Sequence, residues 1–139
     1  MSAMRSDIVR VARSYLGTPF QHRQRLPGVG LDCAGVLVCA ARELGLVAPD
    51  WDVPDYRRAP DGTLLDWCRR YMREIPFAEA RAGDALALVV DEEPQHLGIL
   101  ADWRGGAGRS LIHAAMRKNG RGSVAPNTSR VSITLPGME

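Results

Sequence analysis

The sequence has no long hydrophobic run, no block of like charges and no paired cysteine spacing among its 139 residues. No apolar stretch is long enough to span a bilayer, so we expect no membrane partner. Residues 1–11 also lack the apolar segment and the small-residue cleavage site of a signal peptide. We therefore expect the protein to be made in the cytoplasm, and a role elsewhere would need a route other than ordinary secretion.

Basic residues are spread thinly along the chain, and the net charge is only +2. Proteins that bind nucleic acids through phosphate contacts concentrate positive charge on one surface, so we expect no nucleic-acid partner. Lys118 is the only lysine, and this excess of arginine indicates genomic base composition rather than a function. A hydrophobic content of 45% and a charged content of 24% are typical of a soluble globular domain.

Hydrophobic spacing changes from a helical to a strand period about halfway along the chain. It predicts helices from Ser6 to Gly17, from Cys33 to Gly45 and from Thr63 to Glu74, with loops at 17–30 and 48–62. It then predicts strands at 85–90, 96–103, 110–116 and 131–135, with loops at 91–95, 104–109 and 118–129. Helices followed by an antiparallel meander indicate an α+β fold, and the absence of repeats or internal boundaries indicates a single domain, residues 1–139.

The cysteines differ in their positions. An odd count without paired spacing does not form a disulfide framework, and Cys39 and Cys68 lie inside predicted helices, where we assign them to packing. Cys33 follows a glycine-rich loop and opens a helix that Asp32 can cap. Free N–H groups and the positive end of the helix dipole lower a thiol's pKa there, which makes Cys33 a candidate nucleophile. A buried structural cysteine is the competing interpretation.

Two histidines fall on predicted strands of the same sheet. His96 opens the strand 96–103, and alternation places Gly98 on its face, where a missing side chain leaves room for another backbone or a substrate. His113 lies on the next strand and can neighbour His96 across the ladder. A histidine is the usual base for a cysteine nucleophile, and a polar group that holds the base's ring completes a triad. Each histidine could instead be a hydrogen-bonded structural residue.

Five segments of the sequence carry, in their order and spacing, a resemblance to a known family. They are ARSYLGTPF at 12–20, GLDCAG at 30–35, AGDAL at 82–86, HLGIL at 96–100 and LIHA at 111–114. Together they resemble the NlpC-type cysteine peptidases, which are papain-like hydrolases of the bacterial cell wall. The loop at 21–30 is most similar to the branch found in phage tails and gene transfer agents.

The resemblance implies a papain-like NlpC fold in which N-terminal helices pack on a central antiparallel sheet. It also implies that Cys33 is the nucleophile, His96 the base and His113 the residue that orients the base. The implied reaction cleaves peptidoglycan stem peptides, at the bond between D-glutamate and the diamino acid, through an acyl-enzyme. No metal and no cofactor is expected, and the implied location is a virion in which tail tip or hub proteins are the partners.

Phe20 stands where many members of this family carry a tyrosine whose hydroxyl is thought to help at the oxyanion. Gln21, His22 or Gln24, on the loop before the candidate nucleophile, could supply that help. Our candidates for the oxyanion site or the substrate cleft are therefore Phe20, Gln21, His22 and Asp32.

Three other interpretations stay open. A phage tail protein could keep the fold as an assembly part with weak or lost catalysis. Phe20 favours this interpretation because it lacks the tyrosine hydroxyl. Zinc could bind to Cys33, His96 and His113, with His22 as a further candidate ligand, although the short paired spacings of zinc sites are missing. An acyl-enzyme on Cys33 could also react with a nucleophile other than water, which would make the protein an acyltransferase.

Overall fold

The computed structural model describes residues 5–56, 63–90, 93–102, 108–116 and 122–127. Its helices are α1 (Arg5–Ser14), α2 (Cys33–Glu43) and α3 (Thr63–Tyr71), followed by a short 3-10 turn at Phe77–Glu79. Its strands are β1 (Arg25–Leu26), β2 (Gly30–Leu31), β3 (Ala85–Val90), β4 (Glu93–Asp102), β5 (Arg109–Met116) and β6 (Gly122–Asn127). The helices precede the main sheet along the chain, as the sequence predicts for an α+β fold.

Strands β3 to β6 form an antiparallel sheet in chain order, which confirms the predicted meander. Leu86 of β3 pairs with Gly98 of β4, and Ile99 of β4 pairs with Ile112 of β5. β1 and β2 form a separate antiparallel hairpin within a segment for which the sequence predicts only a loop. This hairpin ends directly before α2, so it adjoins the N-terminal end of that helix.

Two buried clusters hold the helices to the sheet. The first joins α1 and α2 to the sheet, and its members that are at most 2% exposed include Val11, Val36, Ile99, Ile112 and Val124. Full burial of such a side chain stabilises the fold by roughly 1.5–3 kcal/mol. The second joins the N-terminal end of α2 to α3 and the sheet, and it comprises Cys33, Ala34, Tyr56, Leu64, Leu65, Cys68, Ala87 and Leu97. The candidate nucleophile therefore lies inside the second cluster.

The ends of α2 agree with the sequence. The helix begins at Cys33 after the N-cap Asp32, and its C-cap is followed by Gly45, whose φ of +70° is a left-handed conformation that glycine favours. α1 and α3 end a few residues before their predicted C-terminal ends. None of the helices in the described ranges is long and apolar enough to cross a membrane.

Two strands differ from the sequence prediction. β4 begins at Glu93, so the predicted loop at 91–95 is partly strand and His96 lies inside β4 instead of at its start. β6 occupies Gly122–Asn127, within a segment that the sequence predicts as a loop. Both segments lack the apolar alternation that predicts a strand. Backbone pairing with the neighbouring strand places them in the sheet, and Val124 of β6 also packs in the first cluster. The predicted strand at 131–135 lies outside the described residues.

Candidate active site

The N-terminal end of α2 is built around Asp32. Its side-chain Oδ1 accepts a hydrogen bond from the Gly35 backbone N–H at 2.8 Å, and its carbonyl oxygen accepts one from the Val36 N–H at 3.2 Å. This N-cap satisfies N–H groups that the first helical turn leaves without partners. Cys33 follows as the first residue of the helix, as the sequence predicts.

The Cys33 side chain is buried, with 9% of the residue exposed. Burial raises the pKa of the thiol to about 12, and the charge of Asp32 adds to this, whereas backbone hydrogen bonds from Leu97 and Ala34 to the sulfur lower it. The expectation that the helix N-terminus gives a low thiol pKa is therefore wrong. Desolvation of a thiolate outweighs the helix dipole at this position, and the thiol is neutral at pH 7.

His96 and His113 form a hydrogen-bonded pair on neighbouring strands. His96 Nε2 lies 2.6 Å from His113 Nδ1, and the ring planes meet at 79°. Because the ladder between β4 and β5 pairs Ile99 with Ile112, the two histidines are diagonal neighbours on one face of the sheet. The predicted contact across the ladder is confirmed.

Both imidazoles are neutral at pH 7. Burial, followed by the electrostatic effect of His113, lowers the pKa of His96 to about 4, and burial lowers the pKa of His113 as well. A proton on His96 Nε2 can be donated to His113 Nδ1, and this tautomer leaves a lone pair on His96 Nδ1. That lone pair is available to accept a proton from a nucleophile.

Cys33 lies near His96 in the fold because its sulfur approaches Leu97, the next residue of β4. The backbone of Leu97, the residue after His96, lies close enough to the Cys33 sulfur to lower its pKa, and the side chains of Cys33 and Leu97 belong to the same buried cluster. α2 thus brings the sulfur to the part of β4 that carries the histidine. Direct contact between the thiol and the imidazole stays a prediction.

Asp32 is buried and does not line a cleft, which corrects its assignment as a cleft candidate. It is 2% exposed. Besides the Gly35 N–H, its oxygens accept hydrogen bonds from Arg25 Nη1 at 2.9 Å, from the Arg23 backbone N–H at 2.7 Å and from the Tyr56 hydroxyl. A buried carboxylate needs such donors to offset its lost hydration, and they fix it in one position.

Arg25 and Tyr56 are site residues that the sequence reasoning missed. Arg25 donates to the Tyr56 hydroxyl at 2.8 Å and pairs with Asp52 at 3.1 Å, and Asp52 also accepts from Arg42 at 3.4 Å. The loop around Tyr56 is rich in proline and aspartate. Trp51 and Tyr56 are the aromatic residues of that polar loop, and an aromatic residue in such a loop is the signal that could have indicated a buried position.

The other cleft candidates lie on the loop before β1. Phe20 is half-buried and packs against the first cluster, not the one that contains Cys33. Gln21 is exposed. His22 is half-buried, and its Nδ1 lies 3.9 Å from Asp32 Oδ2. His22 is the one of these three whose side chain approaches Asp32, the N-cap of α2. Phe20 and Gln21 pair with Leu31 through their backbones.

The space beside Gly98 is filled by a neighbouring strand. A Cβ built on Gly98 would lie 2.5 Å from Leu111 Cδ1 and 3.2 Å from the Ile112 carbonyl oxygen. Of the two uses that the sequence allows for this glycine, the structure therefore supports close packing of β5 rather than room for a substrate.

A cavity of about 600 Å³ lies between α2, α3 and the sheet, and apolar groups dominate its wall. Leu37, Trp67 and Leu97 are among the described residues that line it, whereas Cys33 and the two histidines are not. The cavity is therefore adjacent to the candidate site but separate from it.

One solved structure similar to this chain is the NlpC/p60 domain of the peptidoglycan hydrolase SagA. The two sequences are 22% identical, the TM-score is 0.60, and the similarity covers 90% of this chain and 89% of that chain. No protein-family model and no curated protein matches the sequence. At this level of identity the likeness establishes the fold, and the predicted α+β NlpC fold is confirmed.

Proposed function

We propose that the chain is a cysteine endopeptidase that hydrolyses peptidoglycan stem peptides. The observation that supports this most directly is that α2 carries Cys33 into the buried cluster that also contains Leu97, the residue after His96, while His96 is hydrogen-bonded to His113. A nucleophile, a base and a group that orients the base are the components of a papain-like site. The fold likeness supports peptidoglycan as the substrate, because the similar domain belongs to a peptidoglycan hydrolase.

Both reacting side chains start neutral, since the pKa of Cys33 is about 12 and that of His96 about 4. The thiol proton therefore moves to His96 Nδ1 as the sulfur attacks the amide carbon, and no ion pair forms beforehand. The carbonyl electrons move to oxygen as the C–S bond forms, and the Cys33 backbone N–H stabilises that oxyanion. The hydrogen bonds from Ala34 and Leu97 stabilise the sulfur as it becomes negative.

The protonated His96 then gives its proton to the leaving amine as the C–N bond breaks, which leaves a thioester on Cys33. In the second half, His96 takes a proton from the water that attacks the thioester, and it returns that proton to the sulfur. His113 holds the imidazole in one orientation at both steps through the 2.6 Å hydrogen bond.

The finer parts of the proposal are supported by the sequence resemblance alone. They are cleavage between D-glutamate and the diamino acid, and a place in a phage tail or gene transfer agent with tail tip or hub proteins as partners. Fragments that end at D-glutamate would support the first part. Co-purification of the chain with intact tail particles would support the second.

A structural tail component that keeps the fold with weak or no catalysis is the second candidate. The observation that favours it is the Cys33 thiol, which is buried and has its pKa raised to about 12. A thiol in that state reacts slowly unless substrate binding brings a base to it, because the thiolate is the nucleophilic form.

Digestion of purified diaminopimelate-type peptidoglycan by the wild type, Cys33→Ala and Cys39→Ala tests the proposal. Cys39 is a matched control because it is also a buried cysteine of α2 but belongs to the first cluster. We expect mass spectrometry to find released peptides with the wild type and with Cys39→Ala only. No release by any of the three, with the proteins folded and their thiols reduced, would favour the structural component. Release by Cys33→Ala would contradict the assignment of the nucleophile.

A further inference from the structure

Arg25 and Asp32 form a buried ion pair at the N-terminal end of α2. Arg25 Nη1 lies 2.9 Å from Asp32 Oδ1, and the two side chains are 11% and 3% exposed. Arg25 also donates to the Tyr56 hydroxyl at 2.8 Å, and that hydroxyl donates to Asp32 Oδ2. The three side chains therefore form a closed set of hydrogen bonds in which each fixes the others.

Asp32 precedes Cys33 in the chain, so its charge acts on the sulfur at close range. A carboxylate here opposes loss of the thiol proton, and after burial it is the largest cause of the raised pKa of Cys33. The same carboxylate cannot simply be absent, because its Oδ1 caps α2 through the Gly35 N–H. α2 therefore needs a side-chain oxygen as its N-cap, but the negative charge of that carboxylate raises the pKa of the neighbouring thiol.

The other groups that face Cys33 do not offset this charge. Cys68 on α3 raises the pKa of Cys33 further. His96 on β4 is uncharged at pH 7, because burial lowers its pKa to about 4. Tyr56, in the loop after α2, stays a neutral hydroxyl because burial, followed by the charge of Asp32, raises its pKa above the usual range.

The remaining basic side chains near Asp32 do not hydrogen-bond its carboxylate. Arg23 reaches Asp32 through its backbone N–H, while its side chain pairs with Asp55. His22 Nδ1 is 3.9 Å from Asp32, beyond hydrogen-bonding distance. Arg25 is always protonated, and it is the cation whose side chain hydrogen-bonds the carboxylate among the described residues.

We propose that Arg25 is a positioning residue for the Cys33 nucleophile that acts through Asp32: it offsets part of the charge of the capping carboxylate, so that α2 keeps its N-cap with less repulsion of the thiolate. The proposal rests on the proposed function for the role of Cys33. Opposite charges in contact inside a protein interact far more strongly than in water, so the effect of Arg25 reaches the sulfur as a loss of negative potential. Tyr56 keeps the two charged groups in contact.

Titration of the Cys33 thiolate in charge-changing variants tests this role. The thiolate is followed by its ultraviolet absorbance from about pH 7 to about pH 12, with the matching Cys33→Ser protein subtracted to remove the tyrosine signal. Asp32→Asn keeps an oxygen for the N-cap and removes the charge, so we expect an approximately tenfold larger thiolate fraction at a given pH. Arg25→Gln removes the cation, so we expect an approximately tenfold smaller fraction.

A double variant separates the charge effect from a structural one. In the Asp32→Asn background, Arg25→Gln should lose most of its effect, because no carboxylate is left to neutralise. Arg25→Lys should stay near the wild type because it keeps the charge. Loosening of the hairpin would instead hydrate the sulfur and enlarge the thiolate fraction. An unchanged or larger fraction in Arg25→Gln, or an equal effect in both backgrounds, would overturn the proposal.

Circular dichroism and denaturant unfolding establish that each variant is folded. Arg25→Gln leaves a buried carboxylate unpaired, which is strongly destabilising. If that variant does not fold, Asp32→Asn and the double variant still decide the matter, because neither holds an unpaired carboxylate. Both must then exceed the wild type in thiolate fraction by a similar factor, because Arg25 acts through Asp32, and a clear difference between the two variants would overturn the proposal. The titration needs no substrate, so peptide release without these shifts would overturn the role of Arg25 alone.

Discussion

His96 Nε2 and His113 Nδ1 lie 2.6 Å apart, although 17 residues separate the two histidines in the sequence. Their rings meet edge to face, with centroids 4.9 Å apart. His113 is carried by β5, which is paired on both sides by β4 and β6, so the partner of the base is fixed in the sheet. The hydrogen bond to His113, which lies on a strand paired on both sides, therefore orients the His96 ring.

Removal of this hydrogen bond should slow peptide cleavage while leaving the protein folded. We expect His113→Ala to lower kcat by about 100-fold, within the range of a lost acid–base contribution. His113→Asn should lower it less, because an amide can still hydrogen-bond the imidazole. Cleavage of a defined stem peptide at saturating substrate gives kcat. Equal rates for the wild type and His113→Ala would show that His113 does not orient the base.

The lowered pKa of His96 should make the free energy of unfolding depend on pH. Its folded value of about 4 is below the ordinary 6.5, so the unfolded state binds more protons between these values. The contribution of His96 to the free energy of unfolding should be fully present above about pH 6.5. It should decrease towards pH 4, at up to about 1.4 kcal/mol per pH unit. Urea unfolding at several pH values measures this slope. His96→Gln should flatten it, and superimposable profiles would contradict a neutral buried imidazole.

The sequence predicted the residues that meet in the site better than their protonation states. Cys33 at a helix start and the facing histidines follow from periodicity and strand alternation, which are local properties. The raised pKa of Cys33 depends on burial by α3 and the sheet and on the Asp32 charge, and no local pattern encodes desolvation. The helix dipole is visible from the sequence, but the larger opposing effect is tertiary.

Residues that act through long-range contacts were equally hidden. Arg25 and Tyr56 are 31 positions apart and meet only because the hairpin and the loop after α2 converge on Asp32. Similarly, β6 carries few apolar residues and is defined by its pairing with β5. Both features come from the fold as a whole, which single-sequence reasoning does not reach.

Gly98 should not tolerate a larger residue, because Leu111 occupies the space beside it. A Cβ there would lie 2.5 Å from Leu111 Cδ1 and 2.8 Å from its Cγ, so Gly98→Ala should cost about 1–3 kcal/mol through overpacking. Leu111→Ala removes the obstructing atoms at its own cost of about 2–5 kcal/mol. In the double variant the two costs should not add. Denaturant unfolding of the four proteins measures the coupling, and additive losses would contradict the contact.

Replacement of Gly35 by alanine should change stability in opposite directions through helix propensity and through packing. It lies in α2, where replacing glycine by alanine ordinarily stabilises a helix by about 1 kcal/mol. A Cβ at Gly35 would lie 2.8 Å from the Gln24 carbonyl oxygen and 3.2 Å from both Arg25 Nη1 and Asp32 Oδ1. The first of these atoms is backbone and cannot rotate away, so the hairpin would have to move from the helix.

We therefore expect Gly35→Ala to destabilise the protein by about 1–3 kcal/mol, the usual cost of overpacking, despite the gain in propensity. Ala41→Gly, further along the same helix, calibrates propensity there and should cost about 1 kcal/mol. Because the added methyl group displaces the Arg25–Asp32 pair, the thiolate fraction of Cys33 should also change in Gly35→Ala and stay unchanged in Ala41→Gly. A Gly35→Ala protein more stable than the wild type would mean that the hairpin does not pack tightly on α2.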